Sequence, residues 1–192
     1  PVCTPARATI TTGLHPHNAG PTVNVIPLPS DQKPIAEYLP SEYKTAWFGK
    51  WHLGSHRDFG PKKQGFDEFF GIRDGFIDNY NHYFLHGTGF HDLYEGTTPV
   101  KADGQYFPEM MNKRCLKFIG ENKGSPFFLY APFNIPHYPE QAPKEFAEPF
   151  KDMKDPARKS YATIMKATDH YMGLIVDKLE ALKLRENTII IY

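Results

Sequence analysis

Cysteine is scarce in this chain: two residues, Cys3 and Cys115, in 192. Two cysteines form one disulfide at most, so a disulfide-stapled scaffold is excluded, and there is no Cys-x-x-Cys pair for a zinc knuckle. An excess of charge of either sign is also lacking. The 22 basic and 22 acidic residues cancel to a formal net charge of zero. That removes the global electrostatic case for nucleic acid or an anionic membrane surface as a partner, and any anion recognition must be local. No apolar run approaches the roughly 18 to 20 residues of a membrane span, and Pro1-Val2-Cys3 has none of the features of a secretory signal. Internal repeats, low-complexity tracts and linkers are absent too. A chain of 192 residues that lacks all of these reads as one α/β unit, able to bury on the order of 70% of its unfolded surface.

The chemistry is concentrated at the start. Cys3-Thr4-Pro5-Ala6-Arg7 runs into Ala8-Thr9-Ile10-Thr11-Thr12-Gly13 and then His15-Pro16-His17. Thr4 as a cap, Pro5 at the first helical position and Gly13 as a stop predict a short helix over residues 5–12. Cys3 then sits where free backbone N–H groups and the positive end of the helix dipole favour an anion. Arg7, one turn on, adds a planar fork of donors suited to sulfate or phosphate oxygens.

Further along, residues 21–30 mix Pro and Val without helical period and read as an irregular connection. Asp31 is placed to cap a short helix over 33–39, ended by Pro40. Residues 44–48 predict a strand that delivers Gly49, Lys50 and His52 to its C-terminal end, where open α/β sheets keep their sites. On an extended segment the alternate residues Lys50 and His52 share one side. Residues 54–104, rich in Gly and aromatics with little periodicity, read as a loop-rich substrate-side excursion. Phe107, Met111, Cys115, Phe118 and Ile119 mark an amphipathic helix over 107–122, which makes Cys115 a buried core cysteine rather than half of a disulfide. Residues 126–132 form an apolar strand handing His137 to the next loop. Tyr161, Ile164, Met165, Tyr171, Met172, Ile175, Leu179 and Leu182 line one face of a long helix over 159–183, and residues 188–192 read as a second buried strand.

The Cys3-x-Pro5-x-Arg7 core, with Thr12-Gly13 and the Pro16-His17-x-x-Gly20 run, resembles the signature of the type I, formylglycine-dependent sulfatases. Thr45-Ala46-Trp47-Phe48-Gly49-Lys50-Trp51-His52-Leu53-Gly54 resembles the second signature of that family. Gly65-Phe66-Asp67-Glu68-Phe69-Phe70-Gly71, Pro136-His137-Tyr138-Pro139 and Leu184-Arg185-Glu186-Asn187-Thr188-Ile189-Ile190-Ile191 continue the match in family order over nearly the whole chain. The fold so implied is α/β, an alkaline phosphatase-like mixed sheet flanked by helices and incomplete at both ends. Residues 1–192 would be a partial sulfatase catalytic domain, with 54–104 its excursion. Only three strands are legible, so unpaired strand edges are expected.

The resemblance also implies a mechanism for sulfate monoesters, with sulfated small molecules or glycans as substrates. Cys3, oxidised by a formylglycine-generating maturase, would become an aldehyde whose hydrate supplies the nucleophile; no disulfide to Cys115 could then form. Arg7 and Lys50 would hold that group and neutralise charge. His52 would be the base that releases the trapped sulfate, and His137 would bind sulfate and protonate the leaving oxygen; an unperturbed histidine titrates near neutrality, which suits both tasks. Calcium is the implied cofactor, with residue 3 as formylglycine its one ligand here and the acidic pairs outside this segment, so the segment alone is expected to be inert. Family habit implies an exported or lysosomal location. Ala6 stands where the family often has Ser, which removes one hydroxyl.

Other readings stand beside these. Taken singly, Lys50 is a solvated lysine, His52 a satisfied loop histidine, and His137 a turn-stabilising ring. His15 and His17 are better read as structural, with His17 supporting the site, than as an ion-sharing pair. Nine histidines without His-Glu-x-x-His or Cys-x-x-Cys spacing give little case for zinc. Asp74, Asp78, Asn79, Asn81 and His82 either touch a sugar or cap turns, and Trp47, Trp51, Phe69, Phe70, Tyr80 and Tyr83 either stack on a glycan or fill the core. Two rival functions remain: a phosphonate or phosphate ester hydrolase of the same superfamily, and a noncatalytic glycan-binding relative.

Overall fold

A computed structural model of the chain describes residues 2–87 and 89–192. Its centre is strand β1, Lys44–Lys50, buried from Thr45 onward. It pairs in parallel with β2, Glu68–Ile72, on one side and with β5, Phe127–Tyr130, on the other. Two short strands, β3 at Tyr94–Glu95 and β4 at Thr98–Pro99, extend the sheet antiparallel beyond β2, so the order is β4-β3-β2-β1-β5. The sheet is mixed, as expected. Three of its strands fall in the segment read as loop-rich, because β2 is short and carries bulky residues on both faces instead of the alternation that betrays a half-buried strand.

The period of two sorts β1 onto two cores. Ala46 and Phe48, with Phe70, Ile72 and the partly buried Phe127 and Leu129, meet Phe107, Met111, Cys115 and Phe118 of helix α3, Phe107–Glu121. Trp47, with Phe69, Phe128 and Tyr130, faces the other way onto Ala8 of helix α1, Cys3–Thr12, and onto Trp51, Leu53 and Phe66. Trp47 meets Trp51, Phe66 and Tyr130 edge-on with ring centroids 4.4–5.3 Å apart. Trp47, Trp51, Phe69 and Phe70 are therefore core, which leaves none of them to stack on a ligand. Both cysteines are free, and Cys115 is fully buried with its thiol pushed up to about 12 by burial.

Helix α4, Pro156–Ala181, starts where Asp155 accepts hydrogen bonds from the N–H groups of Ala157 and Arg158. It buries Thr163, Ile164, Ala167, Thr168, Tyr171 and Leu179, while Tyr161 is half exposed. Its inward face is thus set by small and hydroxylated residues as much as by the large apolar ones. The helix expected over 33–39 shortens to a single 3-10 turn, Ile35–Glu37. Residues 188–192 depart from expectation: they form no strand, and Ile189 and Ile191 are 90% and 91% exposed. A strand needs a ladder partner, and none of the described strands lies beside this segment; likewise β5 pairs only with β1, leaving its outer edge open.

At the end of β1 the backbone must pass close to its neighbours. Gly49 has φ 135°, and a Cβ there would lie 2.2 Å from the Pro132 carbonyl oxygen, while one at Gly71 would lie 1.9 Å from the Gly49 carbonyl oxygen. Only glycine tolerates both the dihedral and the approach. This closeness lets β1, β2 and the loop after β5 converge at one point, and the functional side chains emerge there.

Candidate active site

Cys3 occupies the first turn of α1. The cap is Val2, with extended backbone dihedrals, rather than Thr4, which lies inside the helix and is buried. The Thr4 N–H is satisfied instead by the side-chain oxygen of Asn24 at 3.0 Å, from the irregular connection, and the Thr4 hydroxyl has no partner. Gly13 closes the helix as foreseen, with φ 73° and its N–H on the Thr9 carbonyl, and the one-turn helix α2, Pro16–Ala19, follows.

One turn after Cys3, an Nη1 donor of Arg7 reaches the main-chain carbonyl of Lys50. That carbonyl also accepts from Trp47 Nε1 at 3.1 Å, and the Lys50 N–H donates to the Pro132 carbonyl at 2.9 Å. The backbone of Lys50 is thereby fixed from three directions. Lys50 is 3% exposed, and its ammonium group acts on the Cys3 side chain. Burial and the Arg7 charge hold Lys50 below the usual lysine range, with Cys3 and Asp74 acting in the opposite sense. Arg7 is itself lowered by burial, opposed by Tyr130 and Cys3. Two cations packed this closely in a poorly solvated place favour an anion between them.

His52 follows β1 with φ 53°, its N–H on the Arg73 carbonyl at 3.1 Å. The left-handed turn at His52, not simple strand alternation, brings its ring to the same neighbourhood as Lys50. Its Nε2 lies 3.7 Å from Asp74 Oδ1, and its Nδ1 is buried without a partner. Gly75 lies flat against the ring: a Cβ there would sit 3.0 Å from Cε1. Burial first, then the charges of Lys50, Arg7 and His137, push His52 down to about 3, so its imidazole is neutral across the physiological range.

His137 lies in the loop after β5, stacked on Phe76 with centroids 4.9 Å apart and planes 14° from parallel. Its Nδ1 is 2.8 Å from the Tyr138 carbonyl oxygen; as N–H it donates there, leaving Nε2 free for a proton. The five side chains expected to work together lie close enough to act on one another electrostatically: Cys3 on Lys50, Arg7 on Lys50, and Lys50, Arg7 and His137 on His52. His15 and His17 are exposed and stack on each other at 5.4 Å, and neither acts on these groups.

Sequence reasoning missed the support behind His52. Asp92 is 1% exposed and accepts from the N–H groups of Arg73 at 3.0 Å and Asp74 at 2.8 Å, which fixes the main chain there, while Asp74 Oδ1, the atom facing His52, accepts from the Gly75 N–H at 2.8 Å. Burial raises Asp92 to about 6. Asp78, Asn79 and Asn81 prove to be turn-capping and bracing residues: Asp78 Oδ1 accepts from Tyr80 and Asn81 N–H, Asn81 Oδ1 accepts from Tyr83 N–H, and Gln141 bridges Asp78 and Asn79. No local pattern announces Asp92, because it works through backbone groups some twenty residues away in sequence.

Calcium requires a cage of hard oxygen ligands. Around Cys3 the groups are a guanidinium, an ammonium and imidazole, and among the described residues no cluster of three metal-ligating side chains includes Cys3. Among the described residues, the side chains beside Cys3 do not make such a cage. A surface cleft of about 430 Å³ between β2, β3 and α3, lined by residues such as Glu68, Glu95, Lys113 and Arg114, shares no residue with the Cys3 group.

The mixed sheet flanked by helices matches solved sulfatase structures of the alkaline phosphatase-like α/β class over part of their length. The Sulfatase family model matches residues 1–192, and the chain belongs to that family. It is 32% identical over its whole length to arylsulfatase J of Mus musculus, covering 34% of that protein. It is 31% identical to the ulvan-active sulfatase of Formosa agariphila, covering 40% of it. The crystal structure of Ps i-CgsB superposes with a TM-score of 0.85 at 30% identity over 95% of this chain and 45% of that one. A phosphonate monoester hydrolase from Silicibacter pomeroyi shares the fold, with a TM-score of 0.55 at 16% identity. The chain therefore spans well under half the length of these curated relatives.

Proposed function

We propose that the protein containing this chain hydrolyses sulfate monoesters on carbohydrates, with Cys3 converted to formylglycine by a maturase. What carries the reading is the hydrogen bond that pins Arg7, one turn after Cys3, to the Lys50 main chain, so that both cations act on the Cys3 side chain. The two cations neutralise the nonbridging oxygens of a sulfate, and the first-turn N–H groups of α1 add to the same field.

When formed, the hydrated aldehyde supplies two hydroxyl groups on one carbon, one to attack sulfur with departure of the alcohol and one to expel the sulfate afterward. His137, ring fixed by Phe76 and the Tyr138 carbonyl, delivers the proton from Nε2 to the departing alcohol oxygen. His52 takes the proton of the second hydroxyl, and the Asp74 carboxylate at 3.7 Å stabilises the imidazolium so formed. A bound sulfate ester offsets the charges of Lys50 and Arg7 that depress His52, so the base strengthens when substrate arrives.

The carbohydrate assignment is supported by similarity to a protein named for activity on ulvan and to one crystallised with k-i-k-neocarrahexaose. The reading places calcium at residue 3 with ligands from elsewhere in the protein, so the 192-residue chain alone is expected to show no calcium-dependent turnover; each lost transition-state donor costs about 2.7 to 4 kcal/mol. The protein would then work in an exported or lysosomal compartment, where sulfated glycans occur.

The test is the full-length protein produced in a host with a maturase. The intact mass at residue 3 reports whether the thiol has become an aldehyde, and rates on paired aryl sulfate and aryl phosphate, then on sulfated oligosaccharides, report the substrate class. Faster cleavage of the phosphate ester, or binding of glycan by an unmodified and inactive protein, overturns the reading.

A further inference from the structure

We propose that His82 Nδ1, His91 Nε2 and the carboxylate of Asp103 form a zinc site, separate from the Cys3 group and independent of what that group catalyses. The donor atoms of the three side chains lie within 4.8 Å of one another, and this is the one such cluster among the described residues. Zinc sits about 2.0–2.2 Å from imidazole and carboxylate donors, so a rotamer-scale adjustment brings all three onto one ion.

The polar bookkeeping points to a cation. His82 is completely buried, and its Nε2 is 3.0 Å from the Gln105 carbonyl oxygen. A carbonyl only accepts, so Nε2 carries the hydrogen and Nδ1 keeps a bare lone pair. That Nδ1 is buried and has no hydrogen-bond partner; neither has the buried Nε2 of His91. Buried polar atoms are seldom left unpaired, and here two unpaired imidazole nitrogens and a carboxylate converge. The Gln105 carbonyl supplies the outer contact that orients a metal-bound histidine. Lys101, whose ammonium lies 5.4 Å over the Tyr83 ring and acts on His91, is the nearby cation, and Asp103 brings the opposing charge.

The site has a structural consequence. His82 follows the turn built on Asp78, His91 pairs with Tyr83 in an isolated bridge, and Asp103 precedes α3, so one ion ties three points of the excursion together. The His82 carbonyl accepts from the N–H of Asp92, whose carboxylate positions Arg73 and Asp74 beside His52. The ligands are separated by eight and eleven residues, a spacing that matches no familiar zinc motif.

The experiment uses untagged full-length protein, kept in calcium, stripped of transition metals with a zinc-selective chelator, and titrated with zinc, then with cobalt as a spectroscopic probe. Expected are one equivalent of zinc by calorimetry and elemental analysis, a zinc-dependent rise in Tm, and a visible d–d band with cobalt. His91→Gln and Asp103→Asn, at half-buried and exposed positions, are each expected to weaken zinc binding at least tenfold and abolish the rise in Tm, with zinc-free circular dichroism unchanged. Zinc uptake equal to wild type in both variants places the ion elsewhere and overturns the proposal, as does the absence of zinc uptake by the wild type. Should His91→Gln fail to fold, Asp103→Asn and the wild-type cobalt spectrum decide: no d–d band in the wild type refutes the site.

Discussion

The guanidinium of Arg7 and the main-chain carbonyl of Lys50 are joined by a hydrogen bond across 43 positions of sequence. This contact locks the first helix to the end of the central strand and holds two cations beside Cys3. Charge is concentrated because backbone, not side chain, supplies the acceptor: Arg7 is oriented without being neutralised, and its remaining donors stay available to an anion.

Replacing that fork separates geometry from charge. Arg7→Lys keeps the positive charge and loses the planar set of donors that serves the Lys50 carbonyl and an anion together. The expected result in the full-length protein is a fall of about 10²-fold in kcat/KM on an aryl sulfate, measured by initial rates. A variant within a few-fold of wild type would show that charge alone suffices.

His52 is expected to remain neutral well below pH 6, since its site holds it near 3. An anion bound between Lys50 and Arg7 removes part of that depression. Titration of the His52 ring proton by NMR should show the apparent pKa moving upward on addition of vanadate or sulfate. A downward or absent shift would place the anion elsewhere.

Asp92 and His52 oppose one another in acid stability. His52 goes from 6.5 unfolded to about 3 folded, so on acidification the unfolded chain takes the proton first and stability falls between those values. Asp92 goes from 3.8 unfolded to about 6 folded, so the native state takes its proton first and stability is gained as pH falls through that window. Asp92→Asn deletes the gain. Denaturant midpoints measured from pH 7 to 4 should fall more steeply for the variant than for wild type, and an equal or shallower slope would contradict the assignment.

Two glycines should respond differently to alanine. Gly49→Ala meets a carbonyl oxygen 2.2 Å away at a φ of 135° and should destabilise by about 2–4 kcal/mol in urea unfolding. Gly75→Ala first meets the His52 ring, 3.0 Å from Cε1. It should lower kcat more than it lowers the urea midpoint, because a tilted ring loses its alignment while the core stays packed. The reverse ranking would mean that Gly75 matters for packing alone.

How much was legible varies residue by residue. The α1 helix, β1, α3 and α4 announced themselves by stop signals and periodicity, and Cys3, Arg7, Lys50, His52 and His137 by motifs of fixed spacing. Thr4 looked like a cap and is not, because Val2 takes the extended conformation and Asn24 arrives from the next segment to satisfy the exposed N–H. The strand β2 was hidden by its brevity and by being buried on both faces. Residues 188–192 have the composition of a strand, but burial depends on a neighbour, and no described strand flanks them.

The sequence by itself determined the chemical inventory and its order: a cysteine at a helix start, an arginine one turn on, a lysine and a histidine at a strand's end, and the family to which these belong. Tertiary structure alone decided the environment of each group. That Asp92 works through the N–H groups of Arg73 and Asp74, that His52 is driven to about 3, and that His82, His91 and Asp103 meet are consequences of burial and of contacts between distant segments. Desolvation and Coulomb energies depend on what lies within a few ångströms in space, and spacing along the chain does not encode that.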